Sequence, residues 1–135
     1  MTKVVVDANV YISALVFGGA PQQVLDLIQR QGLSLYISES IMNEVAGTLL
    51  QKFNWTEAEA RWFLPPLWER CIILRPTIRL KVCPDPDDNH ILECARAGQA
   101  DFLITGNAKH FPKSYETTKV ISPRQFLQMF LPEAD

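Results

Sequence analysis

Asp7, Glu44 and Asp88 stand where an acid needs a reason. Asp7 ends the run "KVVV", Lys3 to Val6, which otherwise reads as the buried centre of a sheet, and Asn9 follows two places later. A carboxylate in that setting must be met by donors, a counter-ion or water. Glu44 lies between Ile41 and Val45, so it borders an apolar helical stripe rather than the opposite face. Asp85, Asp87 and Asp88 crowd the loop that opens "CPDPDDNHILECARAG". Brought into one cleft, these carboxylates repel one another. A hard divalent cation removes that conflict, because Mg²⁺ takes oxygen ligands from one or two carboxylates, waters and substrate phosphate. Each acid also has a plainer reading. Asp7 can simply accept backbone hydrogen bonds, and Glu44 can be solvated. Asp87 can cap the helix "DNHILECARA", which places Asp88 at its first position near the positive helix end.

The elements that must position these acids alternate along the chain. "KVVV" is a short β-branched strand, and "NVYISALVF" continues as a turn and short helix. After the break "GGAP", Pro21 suits the first turn of a helix with Val24, Leu25 and Ile28 on one side, ending at Gly32. "LSLYIS", Leu33 to Ser38, is a second strand. Ser38 or Ser40 caps the next helix, whose buried stripe is Ile41, Val45, Thr48 and Leu49. Thr56 and Glu59 form a capping box for a further helix, with Trp55 and Ala60 as a weak staple, and Pro65-Pro66 should break or restart it. "CIILRP", Cys71 to Pro76, is a third strand and the helix after the acidic loop ends at Gly98. "ADFLIT", Ala100 to Thr105, is a fourth strand, "GNAKHFPKSYETT" a loop and "KVIS" a fifth strand. A last helix opens at Pro123. This alternation predicts one three-layer α/β/α domain over residues 1–135, with a mainly parallel five-stranded sheet. A helical hairpin, roughly Ser38 to Glu69, is expected to project from one side. In such sheets the crevice lies beyond the carboxyl ends of the strands, which is where Asp7 and Thr105–Asn107 fall.

Composition narrows the class. With 135 residues, 47% of them hydrophobic, the chain suits one globular core. A net charge of -2 gives no bulk nucleic-acid footprint, although local patches and a metal can supply positive charge. Three cysteines without a CxxC pair argue against a disulfide framework and for a reducing compartment. Asp7 and Asn9 interrupt the early apolar stretch, and no window is long enough to span a bilayer. A soluble, cytoplasmic protein without a membrane partner is expected.

Four segments resemble the PIN domain family, a group of metal-dependent nucleases: "VVVDANVYISAL" with Asp7, "SESIMNEVAGTL" with Glu44, "DPDDNHILECA" with Asp88, and "FLITGNAKHF" with Asn107. The likeness runs from Val4 to about Phe126 and is nearest to toxin components of bacterial toxin–antitoxin pairs. It implies hydrolysis of phosphodiester bonds in RNA, with Asp7, Glu44 and Asp88 holding Mg²⁺ or Mn²⁺ and Asn107 completing the catalytic set. Many relatives carry an Asp where this chain has Asn107. The amide brings no charge, so a second cation would be held more weakly.

On that reading Asn9, Thr105, Asp87 and Ser13 are supporting residues: Thr105 fixes Asp7 or a water, Asn9 ties the loop beneath Asp7, Asp87 or Asp88 orients the attacking water, and Ser13 lies near phosphate or caps locally. RNA needs positive charge, which Lys109, His110 and Lys113 on one side and Arg75, Arg79 and Lys81 on the other can offer. Tyr11, Phe17 and Phe111 are candidate base-stacking residues, although Phe111, with Pro112 directly after it, is better read as an anchor of its loop. The resemblance also implies a small antitoxin partner and a homodimer, for which Trp62, Phe63, Leu67 and Trp68 offer apolar surface. A zinc site from Cys83, His90 and Cys94 competes with a core reading of Cys94. A receiver-like domain lacks an acceptor aspartate in the third strand. A phosphatase using an aspartyl nucleophile would want an acid at Asn9. The remaining alternative is a module that binds RNA or protein with a degenerate cleft.

Overall fold

A computed structural model describes residues 1–130. Its strands are β1 (Lys3–Val6), β2 (Ser34–Ser38), β3 (Ile72–Leu74), β4 (Phe102–Ile104), β5 (Ser114–Tyr115) and β6 (Thr118–Ile121). Its helices are α1 (Ala8–Phe17), α2 (Gly19–Arg30), α3 (Glu39–Lys52), α4 (Glu57–Trp68), α5 (Pro86–Gly98) and α6 (Pro123–Phe130). The strands form one sheet in the order β3-β2-β1-β4-β6-β5. All neighbours are parallel except the β5–β6 pair. Helices on both faces complete a three-layer α/β/α fold. The expected five strands are therefore six. Ser114 and Tyr115, read from sequence as loop, pair antiparallel with Lys119 and Thr118 at the sheet edge. Two residues are too few to show an alternating pattern.

β1 is central because Val4, Val5 and Val6 are all fully buried, as a strand covered on both faces must be. It pairs with β2 on one side and β4 on the other. Chain order reverses between β1 and β4, and a crevice opens at the carboxyl ends of strands at such a switch point. The crevice position is thus fixed by which strands flank β1.

Several local expectations change in the structure. Pro65 and Pro66 lie inside α4 without ending it. The carbonyls they leave without an N–H partner belong to Arg61 and Trp62, exposed residues that water can serve. α3 and α4 do not stand away from the body: Ile41, Val45 and Leu49 of α3 and Leu64 and Leu67 of α4 are buried in the core. Ser38, rather than Ser40, caps α3, and the Thr56–Glu59 capping box forms with both bonds. Ser13 is in the middle of α1, neither at a helix start nor a cap. Gly98 does not supply the left-handed turn after α5; Gln99 does, at φ 49°. Gly98 is needed for space, since a Cβ there would come within 2.6 Å of the Tyr36 ring.

Among the described residues no helix is long and apolar enough to cross a membrane. All three cysteines are free.

Candidate functional site

Asp7 stands at the switch point as the N-cap of α1, at the end of β1. Its N–H continues the ladder to the Ile104 carbonyl at 2.9 Å. Its carboxylate is clamped from two sides: Oδ1 accepts the Asn9 N–H at 3.1 Å, and Oδ2 accepts the Thr105 hydroxyl at 2.7 Å. Thr105 Oγ1 in turn accepts the Asn107 N–H at 3.0 Å. This chain of bonds ties the two halves of the crevice together. Asp7 is 1% exposed, and burial lifts its carboxyl above the usual carboxylate range while the Thr105 and Asn9 bonds pull it back.

Glu44 approaches from α3, half-buried. Its carboxyl is pushed up to about 7, by burial first and then by the charges of Asp87, Asp7, Asp88 and Asp85. Asp88 approaches from the first turn of α5 and is likewise raised, by burial first and then by Asp7 and Asp85, with His110 acting the other way. The His110 ring nitrogen Nδ1 lies 3.8 Å from Asp88 Oδ2. β1, α3 and α5 thus bring acids distant in sequence close enough to resist one another's ionisation. Asn107 is half-buried beside them, with Lys109 and His110 exposed in the 3₁₀ turn that follows. Pro84, Asp85, Asp88, Lys109 and His110 line a hollow of about 230 Å³.

The donor set is all oxygen, which suits a hard cation. Among the described residues, however, no three His, Cys, Asp or Glu side chains stand close enough together to hold an ion as they are placed. The same result applies to Cys83, His90 and Cys94. Cys94 is fully buried in the core, and the His90 ring bonds to Glu93.

A sequence profile described as the PIN domain matches residues 3–109. The chain belongs to the PIN domain family. The uncharacterized protein MJ1680 of Methanocaldococcus jannaschii is 31% identical over 142 aligned positions, covering 95% of this chain and 91% of that protein. The fold of this PIN domain also matches a chain in the crystal structure of VapBC2 from Rickettsia felis bound to a DNA fragment from their promoter. The TM-score is 0.65, with 16% identity over 90% of this chain and 98% of that one.

The residues singled out from sequence around the PIN cleft separate clearly. Asp7, Glu44, Asp88, Thr105 and Asn107 meet at the crevice. Asn9 does tie the loop under Asp7, but through its backbone N–H; the residue itself is exposed. Asp87 is not the cap of α5. Asp85 is, accepting the Asp87 N–H at 2.9 Å, with Pro86 in the first turn. The Asp-Pro pair was the available signal, because proline favours the first helical position. Arg79 and Lys81 are exposed, and Arg79 lies 3.7 Å from Glu93. Tyr11 is fully buried against Trp68, and Phe111 is buried as a loop anchor, so of the three proposed stacking rings only Phe17 is exposed. Trp62 and Phe63 are exposed, whereas Leu67 belongs to the core and Trp68 packs on Tyr11.

Sequence reading missed Asn89 and Glu93, which are polar and buried. The Asn89 amide accepts from the N–H groups of Val82 and Cys83 and donates to the Cys83 carbonyl. Glu93 accepts the Leu80 N–H at 2.8 Å. Together they strap residues 80–83 to α5 and so set where the acidic loop begins. Polar residues on the buried face of a helix were the signal.

Proposed function

We propose that the chain is a divalent-metal-dependent endoribonuclease cutting single-stranded or structured RNA, acting as the toxin of a toxin–antitoxin pair. The observation that carries this is the convergence of Asp7, Glu44 and Asp88, all raised first by burial, with the charge of Asp7 raising Glu44 and Asp88 further. A site that resists its own charge is completed by a cation. Asp7, Glu44 and Asp88 would hold Mg²⁺ or Mn²⁺, with Asn107 offering a neutral oxygen. When bound, the ion supplies positive charge against the phosphate and acidifies a water.

The chain's own residues do the rest. Thr105 and the Asn9 N–H hold the Asp7 carboxylate in one orientation. Glu44, raised to about 7, would have to be ionised to hold the ion, so binding would be linked to proton release. Asp87 or Asp88 orients the attacking water. The water oxygen bonds to phosphorus and the bond to the 3′ oxygen breaks, leaving a 5′-phosphate and a 3′-hydroxyl. Lys109 and His110, which line the hollow with Asp88, and the exposed Arg79 and Lys81 counter the charge of the strand. The toxin likeness implies a small antitoxin, and exposed Trp62 and Phe63 offer surface for a homodimer.

The test is digestion of single-stranded RNA with Mn²⁺ or Mg²⁺, followed by end-group analysis. Cation-dependent cleavage that disappears in Asp7→Asn supports the nuclease. Because the acids do not form a ready three-ligand cluster and Asn107 adds no charge, a second reading stands: an RNA- or protein-binding module that retains the cleft. RNA binding with no turnover in either cation would favour it.

A further inference from the structure

A second hollow, of about 390 Å³, opens beside the acidic crevice and is lined by Ser40, Asn43, Arg75, Arg79, His90 and Glu93. It is distinct from the acid cluster in chemistry but shares its walls. Ser40 lies one turn before Glu44 on α3, and His90 lies three residues after Asp87 on α5, so both pairs share a helix face. Three features of the lining point to a ligand. Arg75 is exposed and has no ion-pair partner among the described residues. Arg79 is held at 3.7 Å from the buried Glu93, whose charge is also met by the Leu80 N–H and the His90 ring. Asn43 is exposed at the opening and offers an amide to a base edge. Glu39 also lines the hollow and is exposed. Leu74 and Pro76 are the apolar lining residues, too little for an anchoring protein side chain.

We propose that this hollow is a nucleotide subsite, taking the residue of an RNA strand next to the one cut, with Arg75 and Arg79 on its phosphate and Asn43 on its base. Guanidinium groups both fork onto phosphate and stack on bases, and a planar amide reads a base edge. The volume falls within the range of small-ligand sites. The subsite rests on the ribonuclease reading for its place in a strand, but its occupancy needs no divalent cation.

The test is titration of the ¹⁵N-labelled full chain with each ribonucleoside 5′-monophosphate in EDTA. Saturable shifts at Ser40, Asn43 and Arg75, lost in Arg75→Glu and weakened in Asn43→Ala, are expected. Arg75→Glu should also weaken binding of a ten-nucleotide single-stranded RNA by about tenfold, with Arg75→Gln intermediate. Shifts confined to the acidic crevice, or none, would overturn the subsite while leaving cation-dependent cleavage untouched. Displacement of the nucleotide by an equimolar Glu-rich peptide would overturn it in favour of a protein partner. Conversely, nucleotide shifts in a chain that never cuts RNA would sink the nuclease and keep the subsite.

Discussion

Two acids five residues apart on α5, Asp88 and Glu93, have opposite fates. Glu93 is 4% exposed, and its oxygens meet the Leu80 N–H at 2.8 Å and the His90 ring at 3.1 Å, with Arg79 nearby. Asp88 faces Asp7 and Asp85, and only His110, at 3.8 Å, offers relief. One acid is a finished piece of structure; the other belongs to a cluster that lacks positive charge. Both are carboxylic acids on the same helix. What differs is whether the neighbouring groups donate or repel. An acid surrounded by donors stabilises the fold, and an acid surrounded by acids waits for a ligand.

The sharpest way to break that contrast is to neutralise Asp7. Asp7→Asn keeps one oxygen for the Asn9 N–H and sets an amide NH2 against the Thr105 hydroxyl, which can turn to accept it, so the fold should survive, while RNA cleavage with Mn²⁺ falls about 10²–10³-fold. Equal cleavage by the variant would place the chemistry elsewhere. Thr105→Val removes the hydroxyl that orients Asp7, and Mn²⁺ affinity measured by calorimetry should drop about 10–100-fold. Glu93→Ala should act on the fold instead: it strands the Leu80 N–H and costs about 2–3 kcal/mol of stability, read as a lower denaturant midpoint. If Glu93→Ala proved neutral for stability, the finished-structure reading of that acid would fail.

The smallest effect concerns pH. Glu44 has a folded carboxyl pushed from 4.5 to about 7, so between those values the folded state holds a proton that the unfolded state has lost. Its contribution to stability is therefore full below pH 4.5 and declines as pH rises through about 7. The melting temperature of the metal-free protein should fall by a few degrees, about 2–4 °C, over that window. Glu44→Gln should flatten the slope, and Mn²⁺ should offset it. A slope unchanged in Glu44→Gln would remove this residue from the acid cluster.

Much of this was legible in residue order. "KVVV" ending in Asp7 announced a central strand with an acid at its mouth, because three consecutive valines require cover on both faces. The Thr56–Glu59 box and the Ile41–Val45–Leu49 stripe followed from helix geometry alone. Asp85 as a cap was legible from the Asp-Pro pair and was assigned to Asp87 instead. The strand at Ser114–Tyr115 was not legible, since its identity comes from the partner strand. Pro65-Pro66 misled for a related reason: the cost of a helical proline depends on whether water can reach the freed carbonyls, which tertiary exposure decides.

The sequence by itself determined the alternation of strands and helices, and hence a parallel sheet with Asp7 at one end of its central strand. Only the tertiary structure decided which acids share a space. Periodicity records which face of an element is buried, but not which other element covers it. Glu44 and Asp88 meet Asp7 because β1 lies between β2 and β4, while Glu93 is carried by the same helix into a ring of donors.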